Sequence, residues 1–231
     1  MGTSEIKVIE TREALREHLG HPAERTKGKI IPFLDQHART LIEHSPFYLL
    51  ATASSDGTCD VSPRGDPAGS VKVLDDKTLV LADRPGNKLL DSQTNILENP
   101  HAGLLFLIPG MNETLRINGR AKLVADAPFF DDLVVKGKRP ALAIMVEVEE
   151  LYMHCAKAFL RSSLWKPETW PERSSLPTAG QIFRDQMKLD MSAEALDAAL
   201  TEGALTTDLD AIAEAHLGMR AERVGELTGL G

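Results

Sequence analysis

Apolar positions recur along this chain with two different periods, and the change falls near residue 47. Before it, residues 11–19 and 30–43 follow helical spacing, with Ile30, Ile31, Leu34, Ala38, Leu41 and Ile42 close to one face of the second segment. Pro32 fits that helix only in its first turn, and Ser45-Pro46 ends it. From Phe47 the pattern becomes short and strand-like. Residues 47–53 form an apolar strand, Ser55-Asp56-Gly57 a turn, and residues 58–61 a return strand, which together predict a hairpin. Residues 71–74 and 78–81 flank Asp75-Asp76-Lys77 and predict a second hairpin. Residues 87–98 read as a helix stopped by Asn99-Pro100. Residues 102–108 form a buried-type strand, and residues 114–124 contain a strand in which Leu115 and Ile117 alternate with Arg116 and Asn118. Asp126 is the predicted N-cap of a helix entered through Pro128, and residues 141–153 form a long β-branched strand.

About seven short strands between residues 47 and 155, joined by tight turns, predict an α+β protein that is mainly antiparallel β with flanking helices. Closure into a small barrel hides the edges that so many short strands expose. Three segments follow: a helical start (1–46), the barrel (47–165) and a helical C-terminal appendage (166–231). In the last, residues 181–189 and 193–200 are helix candidates, and the chain is rich in Ala, Glu and Gly from about Thr201.

Composition narrows the function classes. The chain has 231 residues, 42% of them apolar and 26% charged, enough for a globular core. A net charge of −8 argues against nucleic acid or an anionic membrane as partner, so an anionic ligand needs a local basic pocket. There is no apolar run of bilayer length and no signal-like start, and two cysteines are too few for a disulfide framework. These features predict a cytoplasmic protein with reduced thiols. No metal site is expected: His154 and Cys155 are adjacent and point to opposite faces of a strand, and Cys59 is the only other cysteine. Neither a dinucleotide-binding nor a P-loop glycine motif is present.

Four clusters could carry chemistry. Ser62-Pro63-Arg64-Gly65-Asp66 stands at a strand end, where it is either a solvated turn or an arginine beside a close-approach glycine. Arg84-Pro85-Gly86-Asn87-Lys88 places two cations at a predicted strand-to-helix junction. Cations there cost a helix about 0.3–1 kcal/mol, a cost that a bound anion removes. Arg116, Asn118 and Arg120 share one strand face, to line a groove or a subunit contact or simply to be half exposed. Lys157 and Arg161 are spaced to share a helix face with Trp165, as a basic patch beside a packed indole.

Together these segments resemble the pyridoxamine 5′-phosphate oxidase-like flavoproteins over about residues 30–165. Ser-Pro-Arg-Gly-Asp (62–66), Asp-Arg-Pro-Gly-Asn-Lys (83–88), Asn-Ile-Leu-Glu-Asn-Pro (95–100), Leu-Leu-Phe-Leu-Ile-Pro-Gly (104–110), Glu-Thr-Leu-Arg-Ile-Asn-Gly-Arg-Ala (113–121) and His-Cys-Ala-Lys-Ala (154–158) are similar to a bacterial subgroup of FMN-dependent proteins with unassigned reactions. The resemblance implies a six-stranded FMN-binding split barrel and a two-fold homodimer with FMN between the subunits. It implies that Arg64 meets the flavin phosphate or ribityl chain, with Ser62 in the same segment. Lys88 binds phosphate beside Arg84 and Asn87, and Thr114 stands where true oxidases place a glutamine against the flavin ring. Thr114, Arg116 or a partner-chain Lys157 would stabilise the charge that builds on reduced flavin. Arg161 belongs to the same expected set, and Trp165 covers the ring or packs the interface. Gly-Asn-Lys (86–88) replaces the usual Ser-Arg-Lys, and the Arg-Leu-x-Pro ending is missing, which points away from vitamin B6 oxidation. The expected function is an FMN-dependent oxidoreductase acting on a small molecule, with NADH or NADPH as donor; the alternative is a non-catalytic flavin-binding or storage protein. No catalytic acid or base is assigned.

Overall fold

The computed structural model describes residues 6–202. Its centre is one seven-stranded sheet, and every paired strand in it runs antiparallel. The strands are β1 (Phe47–Ala53), β2 (Cys59–Gly65), β3 (Lys72–Val73), β4 (Thr78–Asp83), β5 (His101–Leu107), β6 (Thr114–Val124) and β7 (Leu142–His154). Their order is β2-β1-β5-β6-β7-β4-β3. The sheet coils around its core as a split barrel with flanking helices. Closure by hydrogen bonds, expected from the number of edges, is not seen: among the described residues no ladder joins β2 to β3.

Period-2 alternation decides the inside. Tyr48 and Leu50 of β1, Leu104 and Phe106 of β5, Leu115 and Ile117 of β6, and Val146 and Val148 of β7 are buried together. Two helices cap this cluster: α3 (Gln36–His44) contributes Ala38 and Ile42, and α4 (Asp91–Glu98) contributes Ile96. β4 breaks the alternation, with Leu79, Val80 and Leu81 buried in succession. Leu79 and Leu81 face the main core, while Val80 joins Phe130, Leu133 and Ala143 in a second cluster on the opposite face.

A bulge between Asn118 and Gly119 sets the β6–β7 register. A Cβ on Gly119 would overlap Glu147 O, so a close backbone approach requires glycine there.

Helix starts and ends depart from the sequence reading where local hydrogen bonds compete. The second predicted helix begins only at Gln36, because Asp35 caps it through Ala38 N–H (2.8 Å) and Ile31 instead bridges to Leu151. Beyond Asp126 the chain forms a 3₁₀ turn, Pro128–Leu133, preceded by Ala127. Asp126 does not cap it; its carboxylate accepts from Arg139 Nη2 at 2.7 Å. The remaining α-helices are α1 (Arg12–Leu19), α2 (Glu24–Lys27), α5 (Lys157–Ser162) and a packed pair, α6 (Ala179–Met187) and α7 (Ala193–Glu202). A Thr178–Gln181 capping box starts α6, and Gly180 N–H donates to Asp197 at 2.7 Å to hold the pair. The Ala-, Glu- and Gly-rich stretch noted in the sequence falls almost wholly outside the described residues. Among those residues no helix is long and apolar enough to cross a membrane.

Candidate functional site

The β1–β2 register sets Tyr48 opposite Arg64, Leu50 opposite Ser62 and Thr52 opposite Asp60. Strand alternation therefore turns Asp60, Ser62 and Arg64 to the side on which Tyr48, Leu50 and Thr52 are buried. β4 ends at Asp83, and residues 84–90 run from it to the start of α4. Together they enclose a cavity of about 760 Å³, lined among others by Ser62, Arg64, Arg84, Asn87 and Lys88. Five of the residues expected to hold a cofactor are thus brought together from one strand end and one loop.

The cavity is more acidic than the sequence suggested. Its lining includes Asp60, Asp66, Asp83 and Asp91 against Arg64, Arg84 and Lys88, four carboxylates to three cations. Arg64 Nη1 donates to Asp83 Oδ1 at 2.9 Å, and Gln93 Nε2 donates to the same oxygen at 2.7 Å. Arg84 donates through Nε to Asp66 Oδ2 (2.7 Å) and through Nη2 to the Leu133 carbonyl (2.9 Å). Asn95 Nδ2 donates to Asp60 Oδ2 (2.7 Å) and Thr52 Oγ1 (3.1 Å), tying α4 to the hairpin. Both arginines are consequently fixed by carboxylates from neighbouring segments, which gives them definite positions at the expense of their free charge.

The expected helix start is corrected. Lys88 is not in a first helical turn: it has φ +62°, Leu90 has φ +60°, and α4 begins at Asp91. No side chain caps that start, and Leu90, Asp91, Ser92 and Gln93 line the cavity. The helix N-terminus and Lys88 are therefore neighbours on the wall but not parts of one element.

Three residues of the site were not read from the sequence. Tyr48 looked like one more apolar strand position, yet it lines the cavity. Burial pushes its phenol well above the usual tyrosine range, with Asp66 and Asp83 adding to the shift and Arg64 and Arg84 opposing it. Asp83 and Gln93 are the other two. Asp83 stands two residues beyond the predicted strand 78–81, inside the Asp-Arg-Pro-Gly-Asn-Lys segment, where nothing marks it as the partner of Arg64.

The remaining predicted residues lie elsewhere. None of Thr114, Arg116, Lys157, Arg161 and Trp165 lines the cavity. Thr114 is buried opposite His154. Arg116 lies on the outer face of the sheet, opposite Tyr152, with its guanidinium 4.4 Å from the centre of that ring. Its Nε is buried without a hydrogen-bond partner. Burial, and then the Arg116 charge, lower the pKa of His154 below 6.5. Lys157 and Arg161 are exposed on α5. Trp165 does not share that helix face: the helix ends at Ser163 (φ +53°), and the indole stacks on Phe159 at 5.6 Å and donates to Met111 O at 2.8 Å.

Comparison with known proteins places this arrangement. Solved structures that align with the chain include HupZ of Group A Streptococcus, 19% identical, covering 51% of this chain and 90% of that one with a TM-score of 0.42. They also include an FMN-binding protein from Syntrophomonas wolfei (12% identical, 62% and 96% covered, TM-score 0.39). A third is HutZ, a heme storage protein from Vibrio cholerae (12% identical, 52% and 93% covered, TM-score 0.36). No curated protein matches the chain in sequence. The family model described as pyridoxamine 5′-phosphate oxidase matches residues 34–155, which span both capping helices, the whole sheet and the cavity. The chain belongs to the pyridoxamine 5′-phosphate oxidase family.

Proposed function

We propose that this chain binds FMN in the cavity between β2, β4 and the start of α4, and that it is a cytoplasmic FMN-dependent oxidoreductase acting on a small molecule other than a B6 vitamer. One observation carries the reading: in a chain of this family, Ser62, Arg64, Arg84, Asn87 and Lys88 converge on a single cavity. Its volume of about 760 Å³ suits a ligand of flavin size. The donor set fits too. Lys88, Asn87 and the uncapped start of α4 lie on one wall and offer a place for a phosphate. Arg64 lies on another wall, and its buried Nε has no hydrogen-bond partner among the described residues.

FMN, when bound, supplies the hydride chemistry, with NADH or NADPH as the proposed donor. The chain's own part is to position the ligand. Asp83 and Gln93 lock Arg64, Asp66 locks Arg84, and the buried Tyr48 phenol stays protonated at neutral pH.

A second copy of the chain completes the proposal. Thr114 and Arg116 stand away from the cavity of their own chain, and the outer sheet face carries Phe47 exposed. A two-fold dimer packed on that face would bring Thr114, Arg116 and the 157–165 segment toward the partner's cavity. The two free cysteines are both exposed, in keeping with a reducing compartment.

The test is FMN titration by fluorescence quenching of the purified protein and of Lys88→Ala. Loss of one charge-assisted contact costs about 1.5–3 kcal/mol, so affinity should fall roughly tenfold or more. Equal affinity would remove Lys88 from the site. Reduction of the bound flavin by NADH or NADPH and its reoxidation by oxygen separate an oxidoreductase from a storage protein.

A further inference from the structure

A second cavity adjoins the first. It measures about 800 Å³ and is lined by the ends of β2 and β4, by the residues that follow them, and by the 135–142 segment. Gly65, Asp66, Asp83, Arg84 and Pro85 line both cavities, so the Arg84–Asp66 ion pair (2.7 Å) stands in the partition between them.

The two cavities differ in charge. The first has four carboxylates to three cations, whereas the second has four cations, Arg84, Lys136, Lys138 and Arg139, to two carboxylates, Asp66 and Asp83. Both carboxylates are already taken, by Arg84 and Arg64. Arg139 is taken as well, by Asp126 and Asp131 from outside the cavity. That leaves Lys136 and Lys138, whose ammonium groups meet no carboxylate among the described residues. A chain of net charge −8 thus keeps two unpaired cations on one wall of one cavity.

The backbone fixes where they stand. Val135 N–H donates to Lys138 O (3.2 Å) and Lys138 N–H to Val135 O (2.9 Å), which closes a tight turn. Lys136 (φ +50°) and Gly137 (φ +73°) are its central residues. Such a turn favours Asn, Asp or Gly at its first central position, so the turn itself does not ask for lysine there. The guanidinium of Arg139, 4.8 Å from the centre of the Phe130 ring, anchors the turn to the second apolar cluster.

We infer that the second cavity binds a small anionic molecule by its phosphate or carboxylate, held between Lys136 and Lys138. Its place beside the flavin cavity makes that molecule the second reactant, a role that rests on the proposed flavin site.

The experiment titrates the full chain, with and without FMN, with inorganic pyrophosphate and with succinate by calorimetry. The same titrations are made on Lys136→Asn/Lys138→Gln. Asn suits left-handed backbone, so the variant should keep the parent's melting temperature, and a lost affinity is then not lost folding. The parent should bind at least one probe, more weakly as salt rises, because both lysines are exposed. The variant should bind it about tenfold more weakly, with the FMN affinity of the parent. The preferred probe tells a phosphate ligand from a carboxylate. The site falls if the parent binds neither probe, or if the variant binds both as well as the parent does. If the variant loses FMN affinity as Lys88→Ala does, the second cavity holds the flavin phosphate and the inference is overturned. If the chain takes up no FMN yet binds a probe through these lysines, the flavin reading fails and the anion site stands.

Discussion

One sheet carries two arginine–tyrosine pairs directly opposite each other on adjacent strands, on opposite faces, and they behave differently. Arg64 faces Tyr48 across β2 and β1 on the inner side; Arg116 faces Tyr152 across β6 and β7 on the outer side. Each arginine keeps a buried Nε without a partner. The inner pair has a carboxylate beside it: Asp83 accepts from Arg64 at 2.9 Å, and the arginine is held against its strand neighbours. Among the described residues the outer pair has none in bonding range, and the Arg116 cation rests on the Tyr152 ring at 4.4 Å. Its charge reaches His154, whose ring lies 4.8 Å from that of Tyr152. The lesson is that the same two residue types make a neutral, fixed donor wall or a bare cation according to one aspartate contributed by a distant strand.

The largest expected effect breaks the outer pair through its register. Gly119→Ala puts a methyl group into Glu147 O, and β6 and β7 cannot hold Arg116 opposite Tyr152 without shifting. A loss of about 3 kcal/mol in urea unfolding is expected, as for a severe overpacking. A stability within 0.5 kcal/mol of the parent would show that the bulge can relax and does not set the register.

A smaller loss should come from the inner pair. Asp83→Ala strands Arg64 and deprives Gln93 of its acceptor, in a pair whose side chains are only 19% and 16% exposed. Breaking a fully buried pair costs about 3–5 kcal/mol, and partial exposure here should reduce that to about 2. Denaturation of Asp83→Ala beside Arg64→Met/Asp83→Leu sharpens the point. The double variant should recover most of the loss, because no charge is left unpaired. Equal instability of both would assign the cost to packing.

The smallest effect concerns His154. Its pKa in the folded chain lies below 6.5, first through burial and then through Arg116. Unfolding raises it, so the unfolded chain binds more protons in that window. The contribution of this group to stability is therefore complete above pH 6.5 and is lost as pH falls through the lowered folded value. Arg116→Gln should move the pKa part of the way back, since burial remains, and NMR titration of the imidazole reads it. An unmoved titration would detach Arg116 from His154.

Much of this was already present in the chain. Alternation of apolar and polar residues determined seven strands and their inward faces, because a pleated strand sends successive side chains to opposite sides whatever its neighbours. Motif spacing picked out Ser62, Arg64, Arg84, Asn87 and Lys88, which do share a cavity. Tertiary structure alone decided the rest. Placing β4 beside β7 rather than in chain order carried Asp83 to Arg64, and β1 pairing turned Tyr48 from an apolar strand residue into part of the cavity wall. The helix start moved to Asp91 because Lys88 and Leu90 adopt left-handed backbone, a choice that side-chain identity leaves open. Periodicity reports which face a residue takes. Which carboxylate stands beside which arginine depends on strand order, and strand order is settled by the packing of the whole sheet.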